Sequence, residues 1–152
     1  MVVAWGLYIV LMPANKNLSA LAAWLRVIYG GIFIFAISKL YVALQVLAAD
    51  GVQAMSFLKA FQSIWDNGLI LFGFHLLVLG YLAFKSGYVP KWLGVFLVLA
   101  GLGYIVDGFG RMLSPAYNLS IAQFTFIGEV LLIFWLLWKG IKGFDKELEK
   151  TR

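Results

Sequence analysis

The sequence predicts an all-α polytopic transmembrane helical bundle. Three observations predict it. Of its 152 residues, 63% are hydrophobic and only 12% charged. The apolar residues run in segments long enough to cross a bilayer, and the basic residues sit in the short stretches between them. A soluble domain is about 45–50% apolar and about 25% charged. So few polar groups cannot cover a water-facing surface, and lipid as solvent resolves the conflict. An aromatic content of 17% suits anchoring by Trp and Tyr at the membrane interfaces.

The expected elements are four full spans, a short N-terminal hydrophobic segment and an interfacial amphipathic helix. The first apolar stretch, residues 2–12, stops at Pro13. At about 1.5 Å per residue it falls well short of a ~30 Å hydrocarbon core, so it is a partial span or an interfacial segment. Residues 18–49 form one long apolar segment interrupted by Arg26, Lys39 and Gln45. From Gln53 to Trp65 apolar positions recur at helical spacing, with Ser56, Lys59, Gln62 and Ser63 on the other face. That amphipathicity marks a helix lying at the interface or continuing the next span. Asp66-Asn67-Gly68 is expected to interrupt the pattern and cap the following helix. The remaining spans are expected at 69–84, 92–113 and 119–138. Residues 1–142 are read as the membrane domain and 143–152 as a charged cytoplasmic tail.

Loop charge sets the expected orientation. Lys16, then Lys85 and Lys91, then Lys139 and Lys142 fall on one side once the spans alternate. The positive-inside rule makes that side, and the C-terminus, cytoplasmic. The net charge of +5 does not gather on a soluble face, so nucleic acid is not an expected partner. Membrane lipids are, together with further copies of the chain or other integral membrane proteins.

Gly73, Gly80 and Gly87 are spaced by seven, as are Gly94, Gly101 and Gly108. Helices in lipid associate by close backbone approach, which small residues permit. The two sets predict an antiparallel hairpin with glycine along its seam. The plainer alternative is chance spacing among 16 glycines.

Polar residues at membrane depth are the candidate site. Counting from the basic loops puts Arg26, His75 and Glu129 near mid-membrane. A charge there costs at least roughly 2.5 kcal/mol, so such groups pair or face a polar cavity. Arg26 and Glu129 are expected to form a buried ion pair with His75 beside it. The cluster reads either as an internal staple that fixes helix register or as a proton or ligand site. A second layer nearer the opposite face contains Lys39, Asp66, Asp107, Arg111 and Gln123. Asp107 and Arg111, at i and i+4, have the favourable order for a helical ion pair. Tyr41, Tyr104 and Tyr117 are expected in one interfacial belt, and Trp92, Trp135 and Trp138 in the other.

No catalytic, cofactor or metal residues are expected. With no cysteine and one histidine, a thiolate zinc site, a multi-histidine metal site or a bis-histidine haem has no ligands within the chain. No H-E-x-x-H, Walker A or G-x-S-x-G pattern occurs.

The run Phe72-Gly73-Phe74-His75, continuing through Gly80-Tyr81 to Gly87-Tyr88-Val89-Pro90-Lys91-Trp92-Leu93-Gly94, resembles a widespread family of uncharacterised bacterial membrane proteins. That family is catalogued as a domain of unknown function. Arg26-Val27-Ile28-Tyr29-Gly30, Gly101-Leu102-Gly103-Tyr104, Gly128-Glu129-Val130 and Trp135-Leu136-Leu137-Trp138 extend the resemblance in order, from about residue 21 to 140. It implies a bacterial cytoplasmic membrane and about six spans, against which this chain is a short or N-terminally truncated form. It brings no activity, substrate or cofactor. The leading expectation is a non-enzymatic accessory subunit of a membrane complex, or a binder of a lipid or small ligand. The alternatives are a small transporter or proton-coupled permease using Arg26, His75 and Glu129, and less readily a membrane-embedded lipid-modifying enzyme.

Overall fold

The chain folds around a hairpin of two helices held by their glycines. In the computed structural model, which describes residues 1–114 and 116–142, the helices are α1 (Val2–Leu11), α2 (Lys16–Val46), α3 (Gly51–Ser86), α4 (Lys91–Leu113), α5 (Ala122–Thr125) and α6 (Ile127–Lys142). Four helical segments are long and apolar enough to cross a membrane: α2, α3, α4, and α5 with α6 taken together as Ala122–Lys142. The bundle expected from the sequence is therefore present. The charged tail assigned to 143–152 lies outside the described residues.

Helices α3 and α4 turn back on each other at Gly87, whose φ of +76° is left-handed. Glycine terminates a helix in that conformation without a Cβ clash. The Ser86 hydroxyl, bonded to the Ala83 carbonyl at 2.8 Å, accepts the Val89 N–H at 3.1 Å and closes the turn. Along the seam the glycines meet in pairs equidistant from Gly87. A Cβ on Gly80 would come within 2.7 Å of the Gly94 carbonyl oxygen, and one on Gly94 within 2.8 Å of Gly80's. Gly73 and Gly101 stand in the same reciprocal relation at 2.7 Å. One heptad further on, Gly108 lies against Ile70 and the Asp66 backbone. The two heptad series of the sequence thus describe the two sides of one seam.

Helix α2 packs along α3, and α6 packs on α4. Gly128 seats against the backbone of Phe96 and Leu97, so the fourth span joins the hairpin through another small-residue notch. Helix α1 is the predicted partial span. Its Leu7 and Leu11 are buried and, with Leu79, Leu97 and Trp135, belong to the core at the 85–91 end. The Tyr88 hydroxyl donates to the Val10 carbonyl and ties α1 to the hairpin turn. Trp135 is therefore a core residue, 7% exposed, where the aromatic belt was expected. Its position on the face of α6 toward the hairpin decides this.

Of the two readings of the amphipathic stretch 53–65, the structure has the one in which it continues the next span: it is the first part of α3, whose 36 residues extend about 54 Å. Asp50 caps that helix, accepting the Val52 and Gln53 N–H groups at 2.9 Å each. Two boundaries differ from the sequence expectation. Asp66-Asn67-Gly68 consequently lies mid-helix. Gly68 is buried and takes the Ile32 and Tyr29 side chains of α2 against its open face, so it serves as a packing notch. The last span begins at Ala122, three residues later than its apolar run.

Candidate polar sites within the helices

His75 sits on the buried face of α3 and is 1% exposed. Its Nδ1 lies 2.8 Å from the Ala22 carbonyl oxygen of α2. A carbonyl only accepts, so Nδ1 carries a proton, and in the neutral form of the ring Nε2 is left as the acceptor. That Nε2 has no hydrogen-bond partner among the described residues, nor has the buried Ser19 hydroxyl, which lies one turn before Ala22. His75 is ten residues, or about 15 Å, from Lys85, half the depth of a ~30 Å hydrocarbon core.

Arg26, one turn beyond Ala22, does not form the expected ion pair with Glu129. Its guanidinium carbon lies 4.8 Å from the centre of the Phe72 ring. Phe72 in turn packs on Tyr29 at 4.9 Å, Tyr104 at 5.5 Å and His75 at 5.6 Å. Ring faces attract a guanidinium where water is excluded. The hairpin explains the geometry: α2 packs on α3 and α6 on α4, so the two charges approach from different sides. Glu129 feels the Arg26 charge and the Tyr104 hydroxyl, but its Oε1 is buried without a partner. Arg26, His75 and Glu129 thus share one electrostatic neighbourhood, joined through Phe72 and Tyr104, without direct contact between the two charges.

The second predicted layer divides. Arg111 reaches across to α3, its Nη1 2.7 Å from Asp66 Oδ1. Asp107, the expected i−4 partner of Arg111, faces the other way. Its Oδ1 accepts the Tyr117 hydroxyl at 2.7 Å and the Ile121 N–H at 3.1 Å, and its Oδ2 accepts the Ala122 N–H at 2.8 Å. The first backbone N–H groups of a helix have no partner within the helix. Asp107 supplies one from α4, acting as a cap borrowed from a neighbouring span. This role was not read from the sequence; the available signal was a buried-depth acid ahead of a span whose own start lacks an acidic cap. Lys39 lies over the Phe35 ring of its own helix at 4.7 Å, and Gln123 is exposed. Neither joins the other three.

Among the described residues no three His, Cys, Asp or Glu side chains converge as a metal site. The arrangement offers a fixed imidazole acceptor, a carboxylate with a spare oxygen and a guanidinium, which together can hold a proton or a small polar group.

A family described as "Domain of unknown function (DUF4386)" matches residues 1–140. The chain belongs to the DUF4386 family. A protein of Archaeoglobus fulgidus, named only as uncharacterised, is 44% identical over 140 residues, covering 92% of this chain and 76% of that one. No solved structure matches. The DUF4386 match spans every described helix almost to the end of α6, and so takes in the glycine seam, the Asp107 cap and the Arg26–His75–Glu129 neighbourhood together.

Proposed function

We propose that this DUF4386 protein is a non-enzymatic membrane subunit that works packed against further copies of itself or other integral membrane proteins. The observation that supports this is an imbalance between inner and outer spans. The apolar windows of α3 and α4 are 50% and 44% buried, whereas those of α2 and of Ala122–Lys142 are each 11% buried. Arg26 and Glu129 on these outer spans are turned inward, to Phe72 and Tyr104, so the surface left uncovered is apolar helix face, which small-residue and van der Waals packing can join to a neighbouring span. In this reading the membrane is the cytoplasmic one, and the basic residues of the 85–91 turn and the end of α6 support an orientation with that turn and the C-terminus inside.

Native mass measurement of the protein in lipid nanodiscs and mild detergent tests this reading. More than one copy, or a copurifying membrane protein in fixed ratio, is expected. A monomer alone at micromolar concentration in both media would overturn it.

The unpartnered His75 Nε2 and Glu129 Oε1 favour a second reading, a proton-coupled permease. Proteoliposomes loaded with a pH-sensitive dye would then pass protons after a pH jump. Glu129→Gln would abolish the flux while keeping the helical fold. Absence of flux in the unmodified protein rejects this reading without touching the first.

A further inference from the structure

At the end of the bundle opposite the 85–91 turn, α3 outlasts α4. There the polar face of the amphipathic stretch runs into a groove of about 520 Å³, lined by Lys59, Gln62, Ser63, Asp66, Asn67 and Arg111. That volume lies within the ~300–1,000 Å³ range of small-molecule sites. Positions 59, 62, 63, 66 and 67 share one helix face by their three- and four-residue spacing. Gly108, Arg111 and Met112 form the α4 side of the groove. We propose that this groove binds a phosphate group.

The chemistry of the lining selects the ligand. The single carboxylate, Asp66, is already held by Arg111 at 2.7 Å. Lys59 has no ion-pair partner among the described residues, which leaves the groove one positive charge in excess. Arg111 spends one N–H on Asp66 out of five available. Gln62, Ser63 and Asn67 make no side-chain hydrogen bond to other described residues, and each can donate. A donor-rich groove with one unneutralised cation takes an oxyanion. Its level selects phosphate: Arg111 is within a turn of the end of α4, whose 23 residues at about 1.5 Å each just exceed a ~30 Å hydrocarbon core. The groove therefore opens where phospholipid headgroups lie.

The test uses the full chain in nanodiscs of a neutral, phosphate-free glycolipid doped with phosphatidylglycerol, with retained lipid counted by native mass spectrometry. Lys59→Gln leaves the Asp66–Arg111 pair in place, and Lys85→Gln alters a basic residue at the other end. The unmodified protein and Lys85→Gln are expected to retain phosphatidylglycerol equally. Lys59→Gln should retain about fivefold less, and Lys59→Arg should restore it, as for loss and return of one charge-assisted contact. Equal retention by all variants, or equal retention of the phosphate-free lipid, overturns the proposal. Where the predicted pattern holds, displacement by inorganic phosphate identifies a free phosphate compound as the ligand, and persistence identifies the lipid headgroup.

Discussion

Gly73 and Gly101 face each other across the α3–α4 seam, each with its missing side chain directed at the other's carbonyl oxygen. The backbones approach so closely that even one carbon on either residue would meet that oxygen at 2.7 Å. In lipid there is no hydrophobic drive between helices, so this contact and its equivalents carry the association.

Substitution on the seam should therefore cost far more than substitution off it. Gly80→Leu is expected to destabilise the protein by about 1–3 kcal/mol or more, the range for overpacking. Gly30→Leu is the control, because a Cβ at Gly30 meets nothing within 4 Å; it should change the melting temperature little. Thermal denaturation in detergent, followed by circular dichroism, distinguishes them.

Asp107 holds three donors from the start of the last span. Asp107→Ala should release the Ile121 and Ala122 N–H groups and the Tyr117 hydroxyl, at a cost of about 1–3 kcal/mol. Faster hydrogen exchange confined to residues 117–125 would be the signature. Tyr117→Phe removes one of the three bonds and should leave those amides largely protected.

Two loop tyrosines predict the alkaline limit of the fold. The hydrogen bond to Asp107, and secondarily desolvation, raise the Tyr117 pKa above its ordinary 10.0. Burial raises Tyr88 to about 12. A raised folded-state pKa means stability fully present below pH 10 and lost as pH rises through the folded value. Ultraviolet titration of phenolate should show both rings ionising above the ordinary tyrosine value of about 10. The α1 contact at Tyr88 should then loosen near pH 12. In Asp107→Asn, Tyr117 should ionise earlier, and Tyr88 should be unchanged.

The Asp66–Arg111 pair is short but solvent-accessible, its side chains 21% and 35% exposed. A double-mutant cycle with Asp66→Ala and Arg111→Ala should give a coupling of only about 0.2–1 kcal/mol, falling with added salt.

The glycine seam was legible in the sequence because it is periodic. Two heptad series flanking one short turn admit a simple antiparallel register, and Gly87 at the turn centres it. The partners of the polar residues were less legible, because they depend on which helices touch. Asp107 and Arg111 are neighbours on a helix surface, yet the arrival of α5 at one and of α3 at the other draws them apart. Arg26 and Glu129 have opposite charge and equal depth, but the hairpin stands between their helices and Phe72 takes the guanidinium. Gly68 misled for a related reason: after Asp66-Asn67 it reads as a helix break, while its actual use is to let Ile32 approach.

The pairing of glycines at equal distances from Gly87 has a consequence for how the chain tolerates change. Register is stored in the notches along the helices, and the connecting turn only brings them together. The turn is then the place where a reporter, a linker or even a chain break can be introduced with the two halves still able to recognise each other in the membrane. One residue inserted within α3 between Gly73 and Gly80 would instead rotate one crossing away from its partner while the other stayed in place. The hairpin is forgiving at its loop and unforgiving along its length.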